Sequence, residues 1–202
     1  DIPLLQVGAH YIYGKPGSGK STMTYHAMTH NGYLSGKASL TTAQMELPRL
    51  SLSGAEYYLH QRFKPSDLFQ EGQQTVAIDS SRFNMIVYEE MLTYNNQRNN
   101  KNSSYNDEFL PLIGAIGTQR HQGIDIFYFI SQLPRNDIQL MQILSYYHIP
   151  KVKKGFDYEH WLETGKYRFV IKGWYVTSYD IVPKGSGDYE LTNKNKWFYK
   201  NQ

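Results

Sequence analysis

The sequence contains no cysteine among its 202 residues, which excludes disulfide bonds and metal sites built from thiolates and favours a reducing compartment. It has no apolar run of about 18 residues, so it predicts no membrane-spanning helix, and no signal peptide is evident. No sign of charge dominates, because the formal net charge is only +3. Any nucleic-acid contact would therefore depend on a local basic patch rather than on the charge of the whole chain.

The composition predicts one folded domain. Hydrophobic residues make up 40% of the chain and charged residues 19%, proportions that are typical of globular proteins and not of disorder. The length suits a single α/β domain with its own core. The chain begins at Asp1 rather than at Met and ends at Gln202, so we expect the natural protein to continue beyond at least one end.

The most specific feature is an octapeptide, residues 14–21, that matches the phosphate-loop pattern G-x-x-x-x-G-K-[ST] at every fixed position. Residues 9–13 predict a strand before it, and residues 21–29 predict a helix after it that ends near Gly32. The glycines allow backbone N–H groups to point at a phosphate, and the helix N-terminus adds partial positive charge. A glycine-rich turn without a ligand is the alternative.

The loop predicts a site for ATP with Mg²⁺. Lys20 would contact the β- and γ-phosphates, and the Ser21 hydroxyl would coordinate the metal. The full set of predicted nucleotide-binding residues is Gly14, Lys15, Pro16, Gly17, Ser18, Gly19, Lys20, Ser21 and Thr22.

A second motif follows residues 84–88, an apolar run of strand length that ends in Glu89 and Glu90. Acids at the end of such a strand are typical of a Walker B motif. We predict that Glu89 holds the Mg²⁺ shell and that Glu90 acts as the general base or polarises the attacking water. The alternative is a pair of solvated acids at the end of a strand.

Alternating strands and helices predict an α/β fold with a mostly parallel sheet flanked by helices, the P-loop NTPase arrangement. Strands are expected near 38–42 and 124–130, with a helix over 136–146. Residues 94–107 are polar and asparagine-rich, which predicts an exposed loop. We divide the chain into a P-loop core over residues 1–150 and a β-rich C-terminal extension of the same domain over 151–202, with two or three short strands.

Three further polar residues are candidates for the site. Gln132 follows the strand at 124–130 and would sense the γ-phosphate or orient water; it is otherwise a turn residue before Pro134. Arg120 precedes that strand, at the end away from the nucleotide, so it could act only in trans as an arginine finger of a neighbouring subunit. The alternative is an arginine at a helix C-terminus that interacts with the helix dipole. Arg135 is the rival finger.

The combined motifs resemble the zonula occludens toxin (Zot)-like ATPases, the assembly and export ATPases of filamentous phages, within the FtsK–HerA group of P-loop motors. The resemblance spans roughly residues 9–150 and is most specific in Arg-His-Gln-Gly-Ile-Asp-Ile and Ser-Gln-Leu-Pro, within residues 120–134. It implies catalytic roles for Lys20, Glu90, Gln132 and a trans arginine such as Arg120. Two departures are Glu89 in place of the commoner aspartate and the absence, within these 202 residues, of the membrane-spanning helix that follows the ATPase domain in filamentous-phage members.

The resemblance implies an ATP-hydrolysing motor in phage virion assembly, export or genome packaging. It also implies a homo-oligomeric ring and DNA or virion proteins as partners, in the host cytoplasm or at the inner membrane face if the chain is longer. The first alternative is a monomeric P-loop nucleotide kinase or nucleotide-dependent switch, although no basic lid stands out. A GTPase is disfavoured because residues 193–196 lack the aspartate of Asn-Lys-x-Asp. The second alternative is an adaptor with a silent nucleotide site.

Overall fold

The computed structural model describes residues 2–42, 49–52, 55–58, 60–62, 78–89, 123–134 and 138–201. Glu90, Arg120, Arg135 and the predicted loop at 94–107 lie outside the described residues. The helices are α1 (Lys20–Ser35), α2 (Ile138–Ile143) and α3 (Tyr158–Thr164), and a 3₁₀ turn covers Pro3–Leu5. The strands are β1 (Gly8–Tyr13), β2 (Ala38–Thr41), β3 (Arg49–Leu52), β4 (Ala55–Tyr58), β5 (His60–Arg62), β6 (Phe83–Tyr88), β7 (Ile126–Ser131), β8 (Tyr146–Phe156), β9 (Phe169–Pro183) and β10 (Tyr189–Lys200).

The main sheet has eight strands in the order β10-β9-β8-β1-β7-β6-β2-β5. The six strands from β8 to β5 run parallel, and β9 and β10 continue the sheet in antiparallel fashion beyond β8. A separate antiparallel pair joins β3 and β4. The predicted α/β class, with a mostly parallel sheet and a β-rich C-terminal extension, is confirmed.

The central strands are buried on both faces, which explains their uninterrupted apolar sequences. All six residues of β6 and all six of β7 are buried. One hydrophobic cluster, which includes Met23 and Ala27 of α1, fills one face of the sheet, and a second, which includes Leu140 and Met141 of α2, fills the other. The strand that carries Glu89 is thereby fixed at the centre of the domain.

Helix α1 is longer than its sequence predicts. Gly32, the expected stop, lies buried within the helix, which runs to Ser35 and ends where Gly36 takes a left-handed conformation at φ 68°. The Gly36 N–H donates to Gly32 O over 3.0 Å, so the later glycine makes the cap. The prediction of an end near Gly32 is wrong because a glycine inside a closely packed helix costs only about 1 kcal/mol relative to alanine.

The helix predicted at 136–146 ends earlier than expected, because α2 ends at Ile143 and β8 already begins at Tyr146. The residues from Tyr146 onward form a strand instead of a helix because they pair with β1 in the sheet. The extension also differs from the expected short strands: β8, β9 and β10 have 11, 15 and 12 residues. Since β8 runs from Tyr146 to Phe156, one continuous strand crosses the division placed at residue 150, and that division stays a prediction.

A buried hydrogen-bond chain joins β1 to this extension. Trp197 Nε1 donates to Ser178 Oγ (2.8 Å), which lies 2.7 Å from His148 Nδ1. His148 Nε2 lies 2.9 Å from His10 Nδ1, and His10 Nε2 lies 2.8 Å from Gln6 O. The indole at one end can only donate and the carbonyl at the other can only accept. The chain is complete with one proton on each imidazole if the Ser178 hydroxyl donates to His148 Nδ1 and His148 Nε2 donates to His10 Nδ1. Complete burial of both rings favours this neutral form of each histidine.

We expect acid to destabilise the protein through these histidines. Burial lowers the pKa of His10 from 6.5 to about 4 and lowers that of His148 further below its usual range. Because the folded-state pKa is the lower one, the unfolded chain takes up protons first, and stability present above pH 6.5 is lost as the pH falls towards 4. His10 alone accounts for a decrease of about 3 kcal/mol in the free energy of unfolding.

Urea unfolding at a series of pH values measures this effect. His10→Leu should flatten the dependence below pH 6.5, whatever it does to stability at pH 8. His160→Gln, which alters a ring outside the buried chain, should keep the wild-type slope. An unfolding free energy that stays constant between pH 7 and 5 in the wild type would contradict the argument.

Candidate nucleotide site

The phosphate loop joins β1 to α1 at the carboxyl edge of the parallel strands, where α/β sheets bind ligands. Its backbone is fixed by hydrogen bonds from Gly14 N to Ser131 O (3.2 Å) and from Ser18 N to Lys15 O (3.1 Å). Gly17 and Gly19 both have φ of 80°, a left-handed conformation that glycine adopts without strain. The sequence-predicted turn is therefore present in the form that a phosphate-binding loop requires.

Lys20 and Ser21 are the first two residues of helix α1. The Lys20 side chain is only 8% exposed, and its Nζ donates to Lys15 O over 3.1 Å, which curls the ammonium group back over the loop. Ser21 Oγ donates to Glu89 Oε2 over 3.2 Å. The loop serine and the acid after β6, 68 positions apart in the chain, thus meet in one site.

Glu89 is held by a contact that sequence reasoning missed. Thr42, at the end of β2, accepts a hydrogen bond from Glu89 N over 2.9 Å, and its hydroxyl lies 3.4 Å from Glu89 O. Glu89 as a whole is only 8% exposed. Thr42 closes a strand that the sequence predicts at 38–42, but its role becomes visible only once β2 is known to lie next to β6, because neighbouring parallel strands end at the same edge.

Strand β7 lies between the strand of the phosphate loop and the strand that precedes Glu89. Tyr13 of β1 pairs with Ser131 of β7, and Tyr88 of β6 pairs with Phe129. Gln132 follows Ser131 directly and is half-buried. The structure therefore places Gln132 at the edge between the two motifs, which is where a residue that orients water or senses a phosphate would act.

The loop is closed from behind by the C-terminal extension. Trp174 of β9 is fully buried, and a Cβ placed on Gly19 would lie 2.7 Å from Trp174 Nε1 and 3.3 Å from Val152 Cβ of β8. Trp174 also contacts the ring of His26 on α1, with centroids 5.2 Å apart. Two strands that the sequence assigns to an extension thus pack directly against the nucleotide loop.

The residues present suit a nucleotide with Mg²⁺. Ser18 Oγ is buried in the loop and has no hydrogen-bond partner in the described part of the chain, so a phosphate oxygen would satisfy it. Mg²⁺ is usually bound through one or two protein oxygens together with substrate phosphates and water, a role that suits Ser21 and Glu89. The exposed Thr22 completes the predicted set.

The chain is similar to one curated phage protein and to solved structures. No family model matches the chain. It is 34% identical over 187 residues to an uncharacterized 37.2 kDa protein of Acholeplasma phage L2, covering 92% of this chain. The chain spans 60% of the length of that relative.

Two of the similar solved structures cover nearly the whole chain at low sequence identity. The N-terminal domain of zonular occludens toxin from Neisseria meningitidis is 15% identical with a TM-score of 0.48, over 94% of this chain and 95% of that one. The genome packaging NTPase B204 of Sulfolobus turreted icosahedral virus 2 is 12% identical with a TM-score of 0.45, over 93% and 96%.

The structure brings together Lys20, Ser21 and Glu89, with Gln132 at the same edge, and leaves the assigned roles of all site residues as predictions. Glu90, Arg120 and the rival Arg135 lie outside the described residues. No described helix combines the length and the apolar character needed to cross a bilayer.

Proposed function

We propose that the chain hydrolyses ATP as a motor of the Zot-like, FtsK–HerA type, acting in phage virion assembly, export or genome packaging. The observation that carries the proposal is the contact between Ser21 and the buried Glu89, which unites a complete phosphate loop with an acid at the end of the buried strand β6, two strands away in the sheet. The sequence relative in a phage supports a phage-associated role. Virion assembly, export and genome packaging remain alternatives within this proposal.

In the proposed mechanism the loop N–H groups and Lys20 bind and neutralise the phosphates. Mg²⁺ would supply electrostatic stabilisation of the charge that develops on the phosphate oxygens. Ser21 and Glu89 would hold it, and the Thr42 hydroxyl positions Glu89 through its backbone. Glu90, the next residue, would take the proton of the attacking water while Gln132 orients that water.

We further propose a homo-oligomeric ring in the host cytoplasm, in which Arg120 of one subunit faces the γ-phosphate bound by its neighbour and DNA or virion proteins are moved. An arginine finger supplied in trans stabilises transition-state charge and makes hydrolysis depend on assembly. The alternatives are a monomeric nucleotide kinase or switch, and an adaptor that binds nucleotide without turning it over.

Hydrolysis by variants of the acid pair tests the proposal. Glu90→Gln should keep ATP affinity but lower kcat at least about 100-fold, because general base catalysis contributes that much or more. Glu89→Gln should instead raise the Mg²⁺ concentration required for activity. Phosphate release, assayed with and without DNA at protein concentrations that allow oligomers, gives kcat.

Glu159→Gln, at an exposed acid of α3, is the matched control and should behave as the wild type. If the wild type binds ATP but releases no phosphate under any of these conditions, the motor proposal is wrong and the adaptor with a silent nucleotide site is favoured. Transfer of the phosphate to a small acceptor would instead establish the kinase alternative.

A further inference from the structure

The outer face of the C-terminal extension carries a regular array of lysines and aromatic rings. Lys151, Tyr175 and Phe198 lie directly opposite one another on β8, β9 and β10, so their side chains share a face. The flanking rows place Lys153 and Lys200 on either side of Gly173, and Lys196 opposite Thr177. We call this the lysine–aromatic face: Lys151, Lys153, Tyr175, Lys196, Phe198 and Lys200.

The row between these residues points the other way. Val152, Trp174 and Tyr199 also lie opposite one another, and they belong to the hydrophobic cluster that packs on α1. Successive residues of a strand point to opposite sides of the sheet. The lysine–aromatic face is therefore the side of the extension directed away from α1.

The two rings of this face are accessible and fixed in position. Tyr175 is 50% exposed and Phe198 is 42% exposed, with ring centroids 5.1 Å apart. The Phe198 ring lies across Gly173, where an added Cβ would be 2.5 Å from Cζ and 3.0 Å from Cε2. The absent side chain of Gly173 leaves room for the ring to lie along the sheet.

The charge of this region has one sign. The segments 149–154, 171–177 and 193–200 contain no aspartate or glutamate, and their lysines are all exposed. Lys153 Nζ lies 5.3 Å from the Tyr175 ring centroid and 5.6 Å from that of Phe198. Although the net charge of the whole chain is only +3, these segments concentrate positive charge locally. Their lysines are Lys151, Lys153, Lys154, Lys172, Lys194, Lys196 and Lys200.

We propose that the lysine–aromatic face binds single-stranded nucleic acid, with bases stacked on Tyr175 and Phe198 and phosphates bound by the surrounding lysines. Aromatic platforms within a cationic groove are the usual means of binding single strands without sequence preference. A duplex hides its base faces from such rings. An anionic membrane would attract the same lysines, but it favours apolar side chains that project into it, whereas the Phe198 ring lies along the sheet.

This inference deepens the proposed function, because it names the polymer on which the ATPase would act. Binding is measurable without ATP, so the two proposals can fail separately. A protein that hydrolyses ATP but ignores nucleic acid would refute only the second, and the opposite result would refute only the first.

Fluorescence anisotropy with a labelled oligothymidylate of about 16 nucleotides, a length within the range of known single-strand sites, tests the face on the full chain. Tyr175→Ala and Phe198→Ala should each weaken binding about 10-fold through lost stacking. The Lys196→Ala/Lys200→Ala double variant should reduce the slope of log affinity against log salt by about 1.4, since each phosphate contact contributes about 0.7. Melting curves verify that these exposed substitutions leave the fold intact.

Matched controls distinguish an effect specific to this face from the general effect of replacing an exposed tyrosine or lysine. Tyr167, 80% exposed, and Lys166, also exposed, precede β9 and lie off the face, so Tyr167→Ala and Lys166→Ala should bind as the wild type does. The proposal is overturned by a wild type that does not bind the oligonucleotide, or by equal losses in the face and control variants. It is also overturned if duplex binds as tightly and is insensitive to Tyr175→Ala, or if the face variants impair binding only to anionic vesicles.

Discussion

Lys20→Ala is expected to abolish ATP turnover, with kcat/KM reduced about 100- to 1000-fold or more. The Lys20 side chain is 8% exposed, and its ammonium group lies over the phosphate loop. Removing one preorganised donor from a shielded catalytic site costs about 3–4 kcal/mol in mutational studies, and here a full positive charge opposite a triphosphate is also lost. The phosphate charge would then be neutralised only by the loop N–H groups and Mg²⁺.

Lys15→Ala is the control for this charge removal. Lys15 belongs to the same loop, but its side chain is exposed, and the carbonyl that accepts from Lys20 Nζ is part of the backbone. The alanine variant keeps that carbonyl, so it should lose much less activity than Lys20→Ala although both lose one unit of charge. Equal losses would indicate that the loop acts through its overall charge and that Lys20 has no special position.

Thermal melting with nucleotide gives a second readout that does not depend on catalysis. A ligand at 100 times its Kd stabilises a protein by about 2.7 kcal/mol, which raises the Tm of a chain of this size by about 5–10 °C. The wild type and Lys15→Ala should show this increase with Mg²⁺ and ATP, and Lys20→Ala should not. A full increase in Lys20→Ala would place the nucleotide elsewhere.

The sequence predicts the parts of this site that depend on local chemistry. The phosphate loop has a fixed spacing and a fixed context, so residues 14–21 could be placed between a strand and a helix directly. The end of β6 could be found because a fully buried strand has a continuous apolar sequence, after which Glu89 and Glu90 stand out. Gln132 followed from the same reasoning applied to β7.

The parts that the sequence did not predict depend on contacts between distant segments. The bond between Thr42 and Glu89 requires that β2 lie next to β6, an order that strand patterns do not specify. The contact between Trp174 and Gly19 requires β9 to follow β8 beyond β1. A buried tryptophan has no sequence signature that distinguishes packing on a nucleotide loop from packing elsewhere in a core.

Strand β9 connects the two proposed functional surfaces through adjacent residues. Trp174 points inward to the phosphate loop, and Tyr175 points outward on the lysine–aromatic face. A polymer that contacts Tyr175 and a nucleotide that orders the loop would therefore act on the same short stretch of backbone. In a motor of the proposed type, this stretch of β9 would couple the site that binds ATP to the face that binds nucleic acid.

Gly19→Ala is expected to destabilise the protein and to disrupt nucleotide binding through Trp174. Gly19 has φ of 80°, a conformation that costs an alanine about 1–2 kcal/mol. The new Cβ would also lie 2.7 Å from Trp174 Nε1. Because Trp174 is fully buried, it cannot yield without disturbing its neighbours, and such overpacking adds about 1–3 kcal/mol. The combined loss in the free energy of unfolding is about 2–5 kcal/mol, and the loop N–H groups would be displaced from their positions.

Gly17→Ala separates the steric contact from the backbone strain. Gly17 has the same φ of 80°, but nothing lies within 4 Å of an added Cβ, so this variant should lose only the 1–2 kcal/mol of strain. Trp174→Phe removes the clashing indole nitrogen, so the double variant with Gly19→Ala should be more stable than the sum of the single losses predicts. Urea unfolding of the four proteins in this cycle measures the coupling. Strict additivity, or equal losses for the two glycine variants, would show that Trp174 does not constrain the loop.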